Sequence, residues 1–142
     1  PFEEETQMPT FENPAADADE VQRALRALAH ATRSVDDPRQ IYSVLGSLTS
    51  AGASLSQSLH QLATFHDDAA KKGVWVAGDS RAGRAATYQV SWELHRAGEI
   101  LHQVSDSIAS AHNAESRITY THRDFPEFAE AAQRSTPRGL QL

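Results

Sequence analysis

Two long stretches of this chain repeat apolar residues at alternating steps of four and three, and a glycine-rich segment separates them. In the first, Ile41, Leu45, Leu48, Gly52, Leu55, Leu59, Leu62 and His66 fall on one line. In the second, Val90, Leu94, Ala97, Leu101, Val104, Ile108 and Ala111 do the same, with Trp92 and Ile100 beside them. Such spacing keeps side chains on one face of a helix and gives a heptad seam when sustained. The pattern predicts helices over about 38–70 and 82–120, each on the order of 50 Å long at ~1.5 Å per residue. Matched lengths joined by one connection favour antiparallel packing. The expected fold is therefore all-α, a long helical hairpin.

A shorter N-terminal helix is expected over about 17–34. Val21, Leu25, Leu28 and Ala31 recur on one face, and Asp17 or Asp19 can open the helix against its free N–H groups. Val35-Asp36-Asp37-Pro38 breaks the chain, because the residue before a proline is pushed out of helical geometry. This helix is about half as long as the other two. It is expected to cover only part of the hairpin in a bundle-like arrangement and to leave apolar surface for a partner or a second copy. Gly46 and Gly52 each cost roughly 1 kcal/mol of helix propensity relative to Ala. They mark either a close helix approach or a soft point.

Charge is placed unevenly. The net formal charge is −6, yet residues 1–20 hold seven acidic groups and no Lys or Arg, leaving twelve acidic and thirteen basic groups for the rest. Residues 1–16 read as an acidic, disordered arm with Phe2, Met8 and Phe11 as apolar points. Residues 17–120 read as the helical domain. Residues 121–142 read as a tail in which Phe125 and Phe128 sit on a possible short helix. There is no cysteine, so disulfides, thiolate metal sites and cysteine nucleophiles are excluded. No apolar run reaches the ~18 residues of a membrane span, and no membrane partner is expected. No signal-peptide pattern opens the sequence. The expectation is a cytoplasmic protein, with secretion that uses no signal peptide left open.

Catalytic patterns are missing. There is no Gly-x-Ser-x-Gly and no phosphate-binding Gly-x-x-x-x-Gly-Lys-Ser, so neither an enzyme nor a cofactor is expected. Seven histidines occur. Glu99 and His102 form a Glu-x-x-His, and His95 shares their face, with His60 or His66 within reach from the other helix. Dinuclear carboxylate sites need two such motifs and two further Glu residues, and one motif is present. A mononuclear site at His95, Glu99 and His102 would need three or four converging ligands. These residues are the metal-ligand candidates, beside an alternative in which they flank the seam and bond to neighbours.

The loop is richer. Lys71, Lys72, Arg81 and Arg84 gather at the start of the third helix, whose N–H groups attract anions, and Trp75 can stack on a base or enter a pocket. Nucleic acid is therefore reachable only through loop 71–84, because the rest of the body is nearly neutral. The alternative has Trp75 folded over the hairpin end and the basic groups solvated.

Trp75-Val-Ala-Gly78 at the bend, and Tyr120-Thr-His-Arg-Asp124 after the last helix, give the chain an outline similar to the small helical-hairpin substrates of type VII secretion. That family carries Trp-x-Gly at the bend and Tyr-x-x-x-Asp/Glu after the last helix. The second motif matches at Tyr120 and Asp124. The bend is one residue longer, and the N-terminal helix and acidic arm are extra. The resemblance spans residues 38–124 and implies export as a helical dimer. From the residues themselves, the leading expectation is a non-enzymatic helical module that binds a protein partner or its own copy, with an accessory subunit of a larger complex as one form of it. Its candidate contacts are Trp75, Lys71, Lys72, Arg81, Arg84, Phe2 and Phe11.

Overall fold

A computed structural model describes residues 8–72 and 80–121. They form three helices and, among the described residues, no strand: α1 (Pro14–Ala31), α2 (Arg39–Lys72) and α3 (Ser80–Glu115). The chain divides into two compact units, one containing α1 and one containing α2 with α3.

In the first unit, α1 begins three residues before the predicted start. Asn13 is the N-cap, and its side chain accepts from the Ala16 N–H at 3.1 Å. Pro14 follows at the first helical position, where its fixed φ suits the helix and its missing N–H costs nothing. Asn-Pro is thus a start signal, whereas the sequence reading assigned Pro14 to the acidic arm. The turn before it is also ordered. Thr10 Oγ1 accepts from the Asn13 N–H at 2.8 Å, and the Thr10 N–H donates to Asp17 Oδ1 at 2.7 Å. The helix ends at Ala31, and the Thr32 N–H and hydroxyl both donate to the Leu28 carbonyl at 2.9 Å. No α1 residue is buried, and Val21 and Leu25 each remain about half exposed.

The second unit is the predicted hairpin. α2 runs for 34 residues and α3 for 36, and they pack on each other along their lengths. α3 stops at Glu115, five residues short of the expected end. The Ser116, Arg117 and Ile118 N–H groups turn back to the His112, Ala114 and Glu115 carbonyls. The β-branched pair Ile118-Thr119 then favours extended backbone.

The contact line between α2 and α3 differs from the predicted leucine seam. Within the hairpin, the only buried hydrophobic side chain among the described residues is Ala63, and the other buried side chains are Ser56, Ser91 and Ser105. Gly98 is buried with them. Tyr42, Thr49, Ser56 and Ala63 are seven apart on α2; Ser91, Gly98, Ser105 and His112 are seven apart on α3. Small residues at these positions let the two backbones approach closely. Hydroxyls then bridge directly to main chain: Ser56 donates to the Gly98 carbonyl and Ser105 to the Thr49 carbonyl, each at 2.7 Å. A Cβ on Gly52 would stand 3.2 Å from Ser105 Cβ, so Gly52 marks a close approach. At Gly46 the facing group is the His112 ring, which stacks on Tyr42 with centroids 4.0 Å apart.

Candidate functional site

With serine and glycine at the centre, the leucines lie to one side. At about 100° per residue, Leu55, Leu59 and Leu62 stand roughly 60–120° behind Ser56 on the α2 circumference. Leu101, Val104 and Ile108 are offset from Gly98 in the same rotational sense. Because the helices are antiparallel, both sets fall on the same flank of the hairpin. Leu45 of α2 and Ile100, Val104, Ile108 and Ala111 of α3 accordingly line one shallow open groove of about 460 Å³. Leu55, Leu62, Val90, Ile100 and Val104 leave between 38% and 49% of their surface exposed. Leu55, Leu62, Val90 and Val104 of the predicted seam therefore stand on an open apolar flank, whereas Gly52 lies in the close approach and Ile41, Leu48, Leu59, Leu94 and Leu101 are half-buried. Trp92, expected to widen the seam, is exposed, and the Arg96 guanidinium lies over its ring at 5.4 Å.

Residues 40–66 contain no Asp, Glu, Lys or Arg. A run of that length on a two-helix unit puts an uncharged helix against solvent over much of its circumference. Soluble helices normally carry charge on the exposed face.

The other flank is polar and carries the histidines. His60 Nδ1 and His95 Nδ1 are 2.8 Å apart across the seam. His95 Nε2 lies 3.2 Å from Asp67 Oδ2, and His60 Nε2 lies 3.3 Å from Glu99 Oε1. Ser91 donates to the other Asp67 oxygen. The ring of His60 fits there because position 98 is glycine: a Cβ at that point would meet His60 Nε2 at 2.7 Å.

The sequence candidates scatter on this frame. His95 and Glu99 are part of the polar cluster but face different partners. His102 pairs with Asp106 at 3.8 Å, one turn along α3. Among the described residues, no group of three or more His, Asp or Glu is placed to hold a metal ion. Of the expected partner-binding residues, Arg81 and Arg84 are exposed on the first turns of α3. Phe11 is 91% exposed and has φ 61°, a backbone region unfavourable for a bulky side chain. Phe2, Trp75 and the side chains of Lys71 and Lys72 lie outside the described residues, as does Asp124. Tyr120 donates a hydrogen bond to Glu115 Oε1. That bond, with burial and the Glu115 charge after it, raises the Tyr120 phenol above its ordinary value of 10.0.

Sequence reasoning missed Asp67 as a partner of His95, and it missed the buried serines. The signal was present as a second heptad of small residues, Ser91-Gly98-Ser105, running beside the leucines. Among the described residues, no helix is long and apolar enough to cross a membrane. Fold and site together define an all-helical hairpin with a polar small-residue seam and, among the described residues, one part-exposed apolar flank. No known protein family, curated protein or solved structure matches this chain.

Proposed function

We propose that this protein is a non-enzymatic helical assembly module whose apolar flank is covered by a second copy of the chain. The observation that carries this reading is the set of part-exposed Leu, Val and Ile side chains along one flank, beside a seam whose only buried hydrophobic residue among those described is Ala63. A helix of 34 residues makes that flank about 50 Å long. Two helices packed about 9 Å apart make it about 18 Å wide. The resulting face of about 900 Å² per copy matches the ~800 Å² per partner of a stable interface. A surface without charge along α2 has no like-charge term opposing its own copy. A two-fold axis would bring both flanks together as a four-helix bundle with the leucines inside.

Sedimentation equilibrium of the full chain tests this. A dimer is expected, and Leu55→Glu with Leu62→Glu should yield monomer that keeps its helical signal. A monomeric wild-type chain at high concentration overturns the reading.

Two matched helices also support the type VII likeness as a second reading, since that resemblance implies a helical dimer. Replacement of Tyr120 or Asp124 by Ala should then abolish export from a bacterium that has such a system. Unchanged export would end that reading.

A further inference from the structure

The register of the hairpin is set by Ser56 on Gly98, Ser105 on Thr49 and the Tyr42 ring on His112. Leu48 therefore stands level with Asp106, and Leu55 with Glu99. The side chains about a quarter turn from this seam point straight out of the apolar flank, one line on each helix. On α2 the line is Ile41, Leu48, Leu55 and Leu62; on α3 it is Val90, Ala97, Val104 and Ala111. One line is made of large side chains and the other of small ones. The open groove lies on the small line. Val104, Ser107, Ile108 and Ala111 line it at spacings of three, four and seven. Four residues so spaced form the hole that a facing helix fills with a single knob.

Resting on the reading of this flank as a self-contact, we propose that the second copy lies parallel to the first, about a two-fold axis running along the helices. The partner's α2 then covers α3, and the partner's Leu48 enters the groove.

A two-fold axis in the plane of the contact has two orientations. Along the helices, it sets α2 on the partner's α3. At right angles to them, it sets α2 on α2 and α3 on α3, with the copies antiparallel. The two differ in what reaches the groove. The antiparallel arrangement brings residues 86–97 of the partner's α3. Their outward side chains are Val90 and Ala97, too short to fill a groove of about 460 Å³. Glu93, one heptad from Ile100 on the groove wall, would come with them, and its half-exposed carboxylate would lose water there. Leucine would also meet leucine along α2, and alanine or valine would meet its own kind along α3, spacing the two helix pairs unequally. The parallel arrangement brings Leu48 at its own level, from the run 40–66 that holds no Asp, Glu, Lys or Arg. Leu55 then faces the partner's Ala97 and Leu62 the partner's Val90, each within one helical turn. Large against small at every level is the pairing that interdigitates without voids.

The chain has no cysteine, so a single label can be placed at will. Ser43 is exposed near the start of α2, on the opposite side of the seam from Ile41. A nitroxide on Ser43→Cys therefore leaves the flank untouched. Sedimentation of the labelled chain comes first. A monomer there removes the self-contact itself, and with it the reading on which the proposal rests. In a dimer, double electron–electron resonance should give a distance on the order of 25 Å, because parallel copies hold both labels at one level. Antiparallel copies would part the labels by about 36 Å along the axis alone, and a distance of that size or more overturns the proposal while leaving the dimer standing. Crosslinking tests the pairing. In an equal mixture of Leu48→Cys and Val104→Cys chains, one tagged so that the mixed product has its own mass, a short bismaleimide should join the two. Leu48→Cys mixed with Leu62→Cys should give no such product, and the reverse order would place α2 on α2 and overturn the proposal. The Ser43 label decides if a flank variant fails to dimerise.

Discussion

Ser56 shows how one hydroxyl can hold two helices at close range. It is buried and bonds to a main-chain carbonyl of the other helix, so it supplies both the small volume and the polar link. Ser56→Ala should cost about 1 kcal/mol, the net value of one such bond, because the Gly98 carbonyl keeps its place in α3. Ser56→Leu should cost more, by about 1–3 kcal/mol of overpacking, even though it makes the chain more hydrophobic. Urea denaturation of both variants checks this order, and a stabilised Ser56→Leu would contradict the seam described above. Tyr120 offers a second check at this scale. Its phenol is raised chiefly by the bond to Glu115, so Glu115→Ala should return it toward 10, read from phenolate absorbance. The sign is that of an acid held neutral. Whatever the bond contributes is complete below the ordinary value of 10.0 and disappears as pH rises through the raised one. At Phe11 the positive φ costs about 1–2 kcal/mol in a bulky residue. Phe11→Gly should therefore protect the Thr10 amide, which donates to Asp17, more strongly from hydrogen exchange. Unchanged or weaker protection would mean that the Phe11 side chain itself holds the turn.

The elements were legible in the sequence; the face on which they meet was not. Period, length and the break at Val35-Asp36-Asp37-Pro38 were enough to place α2 and α3. What misled was weight. Leu45, Leu48, Leu55, Leu59 and Leu62 dominate any hydrophobic count, yet a small-residue heptad runs about a quarter turn away with the same period. Periodicity alone cannot choose between two lines that share a period. Close packing favours the line with the smaller side chains when hydroxyls on it can satisfy themselves across the gap. The histidines were hidden for a related reason. His60 and His95 are separated by 35 positions, and only the register of the two helices sets them opposite each other. Gly52 tests the close approach at the level of the element. In an open helix, Gly→Ala gains about 1 kcal/mol of propensity. At Gly52 the new Cβ would stand 3.2 Å from Ser105 Cβ, so that gain should be cancelled or reversed. Thermal melts of Gly52→Ala measure it, and a full 1 kcal/mol gain would show that the helices are not in tight contact there.

At the scale of the whole molecule, acidic groups and the long apolar run of α2 occupy different stretches of the sequence. The acidic groups concentrate in residues 1–20, while residues 40–66 carry none of either sign. The proposed association through the flank would therefore be a hydrophobic event, and salt should affect it in the manner of one. Screening shortens the reach of charge interactions from about 30 Å at 0.01 M to about 3 Å at 1 M, but it has no charged pair to weaken along α2. Burial of apolar surface persists in salt, and excluded salts such as sulfate strengthen it. The dimer dissociation constant should then stay within about two- to threefold when sodium chloride is raised tenfold, and it should fall in sulfate. Binding through the basic groups near the start of α3, which include Arg81 and Arg84, would behave in the opposite way. Contacts to phosphates release counterions, and affinity drops steeply as salt rises. One salt series by sedimentation, run with and without a short oligonucleotide, separates the two. Self-association that survives high salt, with no oligonucleotide bound at low salt, assigns the working surface to the leucine flank. Self-association lost at high salt would move that surface to the charged groups and overturn the reading of the flank as an interface.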